Sequence, residues 1–353
     1  MITTRMAAGC LLALCSGVQA QSTVSLYGAV DLYLNSAKSG GTSYTRLEEG
    51  GNAASRLGFR GSEDLGGGLQ AAFLLEAGIA LDTGAGTLPG PGLMFTRQSY
   101  LALGNASGAV ELGRMYTPMF FSMARSDPYA VNAVFSPQNL VAAVDGQPGL
   151  KAFNARANNM VRYRSAAGQP LVVDVAYSFG EAASPNQANG NIYGGTLGWN
   201  QAPLYLAYAF QKTLDGSATA PIASPSTSTY QAINSGYHLT PELRVMANLY
   251  RNSVNLPNVP VATISNLALE WNANAVSRFT ASVAQRKLSG SPRGQTAWTL
   301  GYDHALSKRT ALYLRWLQST NGGNASVSLA GVPVAANSGD ALRSVGIGLR
   351  HSF

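Results

Sequence analysis

Ser344-Val345-Gly346-Ile347-Gly348-Leu349-Arg350-His351-Ser352-Phe353 closes the chain, and its side chains alternate without a break. Val345, Ile347, Leu349, His351 and Phe353 fall on one face, and Ser344, Gly346, Gly348, Arg350 and Ser352 fall on the other. A period of two is that of a strand. Chain ends of soluble domains fray and carry polar residues. A final strand that ends on an aromatic carboxylate instead suits a closed transmembrane barrel, whose last strand pairs with its first and sets an aromatic ring at the interface. An edge strand of a soluble sandwich is the competing reading, and the rest of the chain decides between them.

Residues 1–20 read as an export signal to be removed: Arg5 is the positive end, Ala7 to Cys15 the short apolar run, and Val18-Gln19-Ala20 the small-residue cleavage pattern. Leu14 is too bulky for a lipoprotein site at Cys15. Both cysteines, Cys10 and Cys15, lie inside that segment, so residues 21–353 form a single exported domain with no disulfide to stabilise it. Charged residues make up 12% of the chain, against about 25% in typical soluble domains. Yet no apolar run after residue 20 approaches the roughly 18 residues of a spanning helix. Alternating strands with lipid on one side and water on the other give this balance. The formal charge of +7 favours anions as partners. With no basic run or basic helix, it does not point to nucleic acid.

Sixteen segments carry strand-like alternation: 23–34, 55–64, 69–79, 97–103, 109–115, 160–165, 171–179, 192–199, 204–212, 230–238, 243–251, 264–271, 278–287, 296–304, 310–317 and 342–353. The connections between them alternate in length. Tight Gly-, Asn- and Pro-rich turns at 65–68, 104–108, 166–170, 200–203, 240–242, 274–276 and 306–309 are interleaved with long segments at 35–54, 80–96, 116–159, 180–191, 213–229, 252–263, 288–295 and 318–341. A sandwich has no reason to keep all its short turns at one end. An outer-membrane barrel does, with short periplasmic turns and longer external loops. The expected fold is therefore all-β, a 16-stranded antiparallel transmembrane β-barrel with both termini periplasmic.

The stretch Ser55-Arg56-Leu57-Gly58-Phe59-Arg60-Gly61-Ser62-Glu63-Asp64-Leu65-Gly66-Gly67-Gly68-Leu69 closely resembles the second strand and first turn of general porins from beta-proteobacterial outer membranes. Arg97-Gln98-Ser99-Tyr100, Val110-Glu111-Leu112-Gly113-Arg114, Val161-Arg162-Tyr163 and Leu306-Ser307-Lys308-Arg309-Thr310 agree with it in order, and Phe353 completes the pattern. The resemblance implies a homotrimer of water-filled barrels, each narrowed by its third external loop. It also implies passive diffusion of small hydrophilic solutes and anions, contact with outer-membrane lipid and lipopolysaccharide, and a barrel-assembly machinery that reads Phe353. A barrel serving mainly as a surface adhesin is the alternative.

The longest connection, 116–159, is the expected constriction loop, because a long loop without regular structure usually has a function. It brings one charge of each sign, Arg125 and Asp127. If Leu57 and Phe59 face lipid, Arg56 and Arg60 face water. If Val161 and Tyr163 face lipid, Arg162 and Arg164 face water. Arg286 and Arg315 point inward by the same rule, as do the acids Asp31, Glu76, Asp174, Glu270 and Asp303. The arginines outnumber these acids, so a weak to moderate anion preference follows. Parity would aim Arg114 at lipid unless the alternation breaks there, and 97–103 is assigned neither face. Trp199, Trp271, Trp298, Trp316, Tyr177, Tyr237, Phe179 and Phe210 form the interfacial girdles. His238, His304 and His351 are isolated, so no metal site, cofactor or catalytic residue is expected, and the chain does not read as an enzyme.

Overall fold

The computed structural model describes residues 23–87, 92, 94–147, 149–329 and 337–353. The expected signal segment, 1–20, lies outside the described residues, as do parts of the loops at 80–96 and 318–341. The strands run in chain order as β1 (Thr23–Ser39), β2 (Thr42–Glu49), β3 (Arg56–Gly66), β4 (Leu69–Ala80), β5 (Ala85–Gly86), β6 (Gln98–Asn105) and β7 (Gly108–Tyr116). After helix α1 (Pro118–Arg125) and a 3-10 turn (Pro137–Ala142) come β8 (Arg156–Ser165), β9 (Leu171–Ser178), β10 (Ile192–Gln201), β11 (Leu204–Leu214) and β12 (Thr227–His238). The last six are β13 (Leu243–Val254), β14 (Ala262–Asn272), β15 (Ser277–Leu288), β16 (Gln295–Ala305), β17 (Thr310–Asn321) and β18 (Leu342–Ser352).

All the barrel neighbours pair antiparallel, and β18 pairs with β1, so the sheet is closed. β2 and β3 lie end to end against β1 and fill one position, while β5 is a two-residue bridge onto β4. The eighteen segments therefore make a barrel of sixteen strands. Along most of the strands burial alternates: in β11, Tyr205, Ala207 and Ala209 are buried, whereas Leu206 and Tyr208 are exposed. Exposed leucines, valines and tryptophans around the outside are costly in water but suit hydrocarbon, and closure removes the unpaired edges that lipid would not tolerate. Trp199, Trp271, Trp298, Tyr177, Tyr237 and Phe179 all belong to that exposed outer surface.

One correction to the sequence reading concerns a strand end. Residues 35–54 are not a long loop. Alternation continues through buried Asn35, Ala37 and Ser39, turns at Gly40-Gly41 and returns along β2. The outward residues here, Ser36, Lys38 and Thr45, are polar, so the hairpin has the composition of a loop. At Arg114, whose facing the sequence left open, the alternation does break: β7 and β8 fall out of register between Gly113 and Met115. Such a bulge re-aims a side chain. The Arg114 guanidinium is thereby held by the carbonyl of Thr96 and the side chain of Asn158.

Closure ends on Phe353. Its N–H donates to the Gly28 carbonyl and its own carbonyl accepts from the Gly28 N–H, each at 3.1 Å. The Phe353 ring lies over Gly28, where an added Cβ would come within 2.4 Å of the ring and 2.6 Å of the Arg56 carbonyl. Gly28→Val is therefore expected to destabilise the detergent-folded barrel by about 1–3 kcal/mol of overpacking, seen as a lower urea midpoint at unchanged slope. A midpoint equal to wild type would show that the ring needs no niche.

Residues 117–147 and 149–155 turn back inside the barrel. Pro118 suits the first turn of α1 and Arg125 its last, where the helix dipole favours a cation. The helix packs on β9 to β12 and the 3-10 turn on β14 to β16. Met119, Met123, Phe135 and Leu140 are fully buried in one cluster with Tyr33, Tyr250 and Leu317 of the wall. A loop without a sheet of its own has carbonyls to satisfy, and wall side chains supply the donors. Asn248 donates to the Ser126 carbonyl at 2.9 Å, Asn252 to Val141 at 2.6 Å, Tyr230 to Lys151 at 2.9 Å and Arg286 to Ala143 at 2.9 Å.

Candidate functional site

The inner wall sorts its charges into two kinds. One kind is buried and paired. Arg162 is 1% exposed. Its Nε donates to Asp174 Oδ1 at 2.7 Å, a second nitrogen pairs with Asp174 Oδ2, and NH1 lies 3.4 Å from Glu111. The Phe121 ring covers it at 4.5 Å. Arg315 is equally buried, donating to Asp303 at 2.7 Å and to the carbonyls of Tyr302 and Leu314. Asp303 also takes Arg278, which reaches on to Glu270. Arg286 is fully buried between Gln295 and the Ala143 carbonyl. These three arginines point inward, as the alternation predicts, but they brace the wall and the folded-in loop and are shut off from the lumen.

Asp127 is also a correction. It is buried, and its carboxylate accepts from the N–H groups of Tyr129 and Val131 and from Ser136 Oγ, at 3.2, 2.8 and 2.5 Å. Burial pushes its carboxyl above the ordinary range, and these three donors oppose that. It shapes the turn and presents no charge to the pore. Arg125, by contrast, is exposed at the end of α1, and Arg164 is partly exposed with one bond of 2.7 Å to Glu111. Arg125 and Arg164 line one pocket beside the 165–169 turn.

The other kind gathers around a single acid. Glu76 on β4 is 4% exposed. Arg97 Nε donates to its Oε1 at 2.8 Å, Arg56 Nε lies 3.4 Å from Oε2, and the Tyr27 hydroxyl donates to Oε2 at 3.0 Å. Arg97 also donates to the Tyr116 hydroxyl at 2.8 Å. From the far side Arg156 reaches the same hydroxyl, with its guanidinium 4.1 Å above the Tyr116 ring. Tyr116 is itself stacked on Phe120 of α1 at 4.3 Å. Arg60 lies over the Tyr27 ring at 5.3 Å. Arg56 and Arg97 thus pair with Glu76, and Arg156 joins them through the Tyr116 hydroxyl, beside the point where the folded-in loop leaves the wall.

Sequence reasoning found Arg56 and Arg60 here and missed Arg97, Arg156 and Glu111. Arg97 shares parity with Leu101 and Leu103, both exposed to lipid, but it precedes the first residue of β6, where parity no longer binds. Arg156 fell inside the expected loop, because β8 begins before the bulge that interrupts its alternation. Glu111 was legible: it lies between Val110 and Leu112, both exposed, and is 2% exposed itself.

Comparison with known proteins agrees with this architecture. The family model described as Gram-negative porin matches residues 7–324. Outer membrane porin protein 32 of Delftia acidovorans is 30% identical over 97% of this chain and 97% of its own. An outer membrane porin protein of Bordetella pertussis is 26% identical over the whole of both chains. Among solved structures, the anion-selective porin from Comamonas acidovorans superposes with a TM-score of 0.81 at 24% identity, covering 94% of this chain and 100% of that one. The trimer form of OmpT from Vibrio cholerae superposes at 0.69 and 15% identity, over 94% and 99%. With a closed sixteen-stranded barrel and full-length likeness to porins, the chain belongs to the Gram-negative porin family and is an outer-membrane channel for passive diffusion.

Proposed function

We propose that this channel prefers anions, and that Arg56, Arg97 and Arg156 set the preference with Arg60, Arg125 and Arg164 as flanking charges. The observation that carries the reading is that, of the three arginines gathered here, Arg56 and Arg97 pair with Glu76 while Arg156 ends on the neutral Tyr116 hydroxyl, with no ion pair among the described residues. Elsewhere on the wall Arg162 and Arg164 are matched by Asp174 and Glu111, and Arg278 and Arg315 by Asp303 and Glu270, whereas Arg286 is fully buried on neutral partners behind the loop. The loop at 117–155 narrows the lumen beside this cluster. Uncompensated charge in a narrow passage with low-dielectric walls focuses the field, raises the local anion concentration and opposes cations. The barrel has no catalytic role in this reading.

The working form is a homotrimer, consistent with the trimer form of the OmpT structure that the barrel resembles. Residues 1–20 are removed on export, the barrel-assembly machinery reads the strand ending at Phe353, and lipid and lipopolysaccharide surround the outer face. Reconstituted into planar bilayers, the protein should give ohmic steps grouped in threes. Under a potassium chloride gradient, the sign of its reversal potential should correspond to chloride. That potential should shrink as salt rises and the Debye length falls from about 10 Å at 0.1 M to about 3 Å at 1 M. A reversal potential of potassium sign at low salt refutes the assignment.

A further inference from the structure

The outer surface of β12 to β16 carries a groove that the channel reading leaves unused. Its floor is made of small side chains, Ser235, Ala247 and Ser265, and its walls of larger ones, chiefly Leu249, Leu267 and Trp298. It has a volume of about 710 Å³ and is mostly apolar at its surface. Along most of the barrel the outward positions are filled by Leu, Val, Ile or an aromatic. Here β14 presents Ser265 between Leu249 and Gln285, and one row below it β13 presents Ala247.

Directly above the groove lies a row of different chemistry. Arg251 pairs across from Thr263, and Thr263 across from Lys287, so two cations flank one threonine on the lipid-facing side. Both are exposed. Arg251 donates only to the neutral groups of Gln231 and Ser253, at 3.4 and 3.3 Å. Among the described residues, neither cation forms an ion pair. The row sits at the end of the strands next to the long connections, which is the external end of the barrel, and Thr263 stands about 13 Å along β14 from Leu267. Two free cations at the rim of an apolar band attract anionic headgroups, and a groove of small residues beneath them accepts a chain that leucines would exclude.

We propose that this face binds one outer-leaflet lipid with a phosphorylated headgroup, its phosphate held between Arg251 and Lys287 and one acyl chain laid along Ser265 and Ala247. The assignment rests on the barrel standing in the outer membrane with its long loops outward. Lipid would then order the wall behind which Asn248 and Asn252 hold the folded-in loop.

The test uses the detergent-folded full barrel and the fluorescence of Trp298, which lines the groove. Diphosphoryl lipid A with brominated acyl chains is titrated in, and the part of the quenching that disappears in Trp298→Phe is followed. Saturable quenching is expected in the wild type. Arg251→Gln with Lys287→Gln should weaken it on the order of tenfold, from the loss of two interfacial charges. Ser265→Leu should abolish it while leaving the charges in place. Inorganic phosphate should not compete, which separates a lipid headgroup from a free anion. The proposal fails if brominated phosphatidylethanolamine quenches equally well, or if the double variant titrates like the wild type. Single-channel conductance is recorded on the same samples: a wild type that binds lipid and does not conduct would overturn the channel reading alone.

Discussion

Neutralising Arg97 and Arg156 together, as Arg97→Gln with Arg156→Gln, is expected to abolish the anion preference. The remaining Arg56 and Glu76 balance one another, so the reversal potential under a salt gradient should fall close to zero. Adding Arg56→Gln leaves Glu76 as the uncompensated charge of the cluster, and the sign should change to that of potassium. For a tenfold gradient of a monovalent salt the full range on each side is about 59 mV, so a change of sign is well within reach of measurement. Removing a matched pair, as Arg162→Met with Asp174→Leu, should leave the potential nearly unchanged, because both charges go together and Arg164 still balances Glu111. A triple variant that keeps the wild-type potential would remove the Glu76 cluster from the mechanism and move selectivity to Arg60, Arg125 and Arg164.

Arg162→Met should instead act on stability. It removes the partner of two buried carboxylates at once, Asp174 fully and Glu111 in part, and Arg164 reaches only Glu111. Breaking a buried ion pair from one side costs about 3–5 kcal/mol, because the partner is left charged and unpaired, whereas replacing both sides by apolar residues of similar volume is often neutral. The urea midpoint of the folded barrel should therefore drop sharply in Arg162→Met and recover most of the loss in Arg162→Met with Asp174→Leu. Equal midpoints for the single and double variants would mean that the carboxylate is relieved some other way.

The two outcomes separate what charge does at two depths of one wall. Beneath Phe121, arginine and acid lock strands β7, β8 and β9 together. Beside Glu76 the same residue types stand where the folded-in loop leaves the wall, and Arg156 ends on a hydroxyl without an ion pair among the described residues. The lumen charge that a permeating ion meets is the residue left over after the wall has satisfied itself.

Alternation along the chain determined the solvent. Val345, Ile347 and Leu349 against Gly346, Gly348 and Arg350 require hydrocarbon on one side and water on the other, and this period of two is written locally, one residue after the next. It also determined that Arg56, Arg60, Arg162, Arg164, Arg286 and Arg315 point inward. Which of these charges remain free was decided only by tertiary structure. Arg162 meets Asp174 across a strand pair, Arg286 meets a loop carbonyl 143 residues away in the chain, and Asp127 is consumed by its own turn. Arg97 and Arg156 enter the site through a strand end and a bulge, where local parity carries no information. Facing follows from neighbours in sequence, whereas the net field in the pore depends on partners that only closure of the barrel and the inward fold of residues 117–155 bring together.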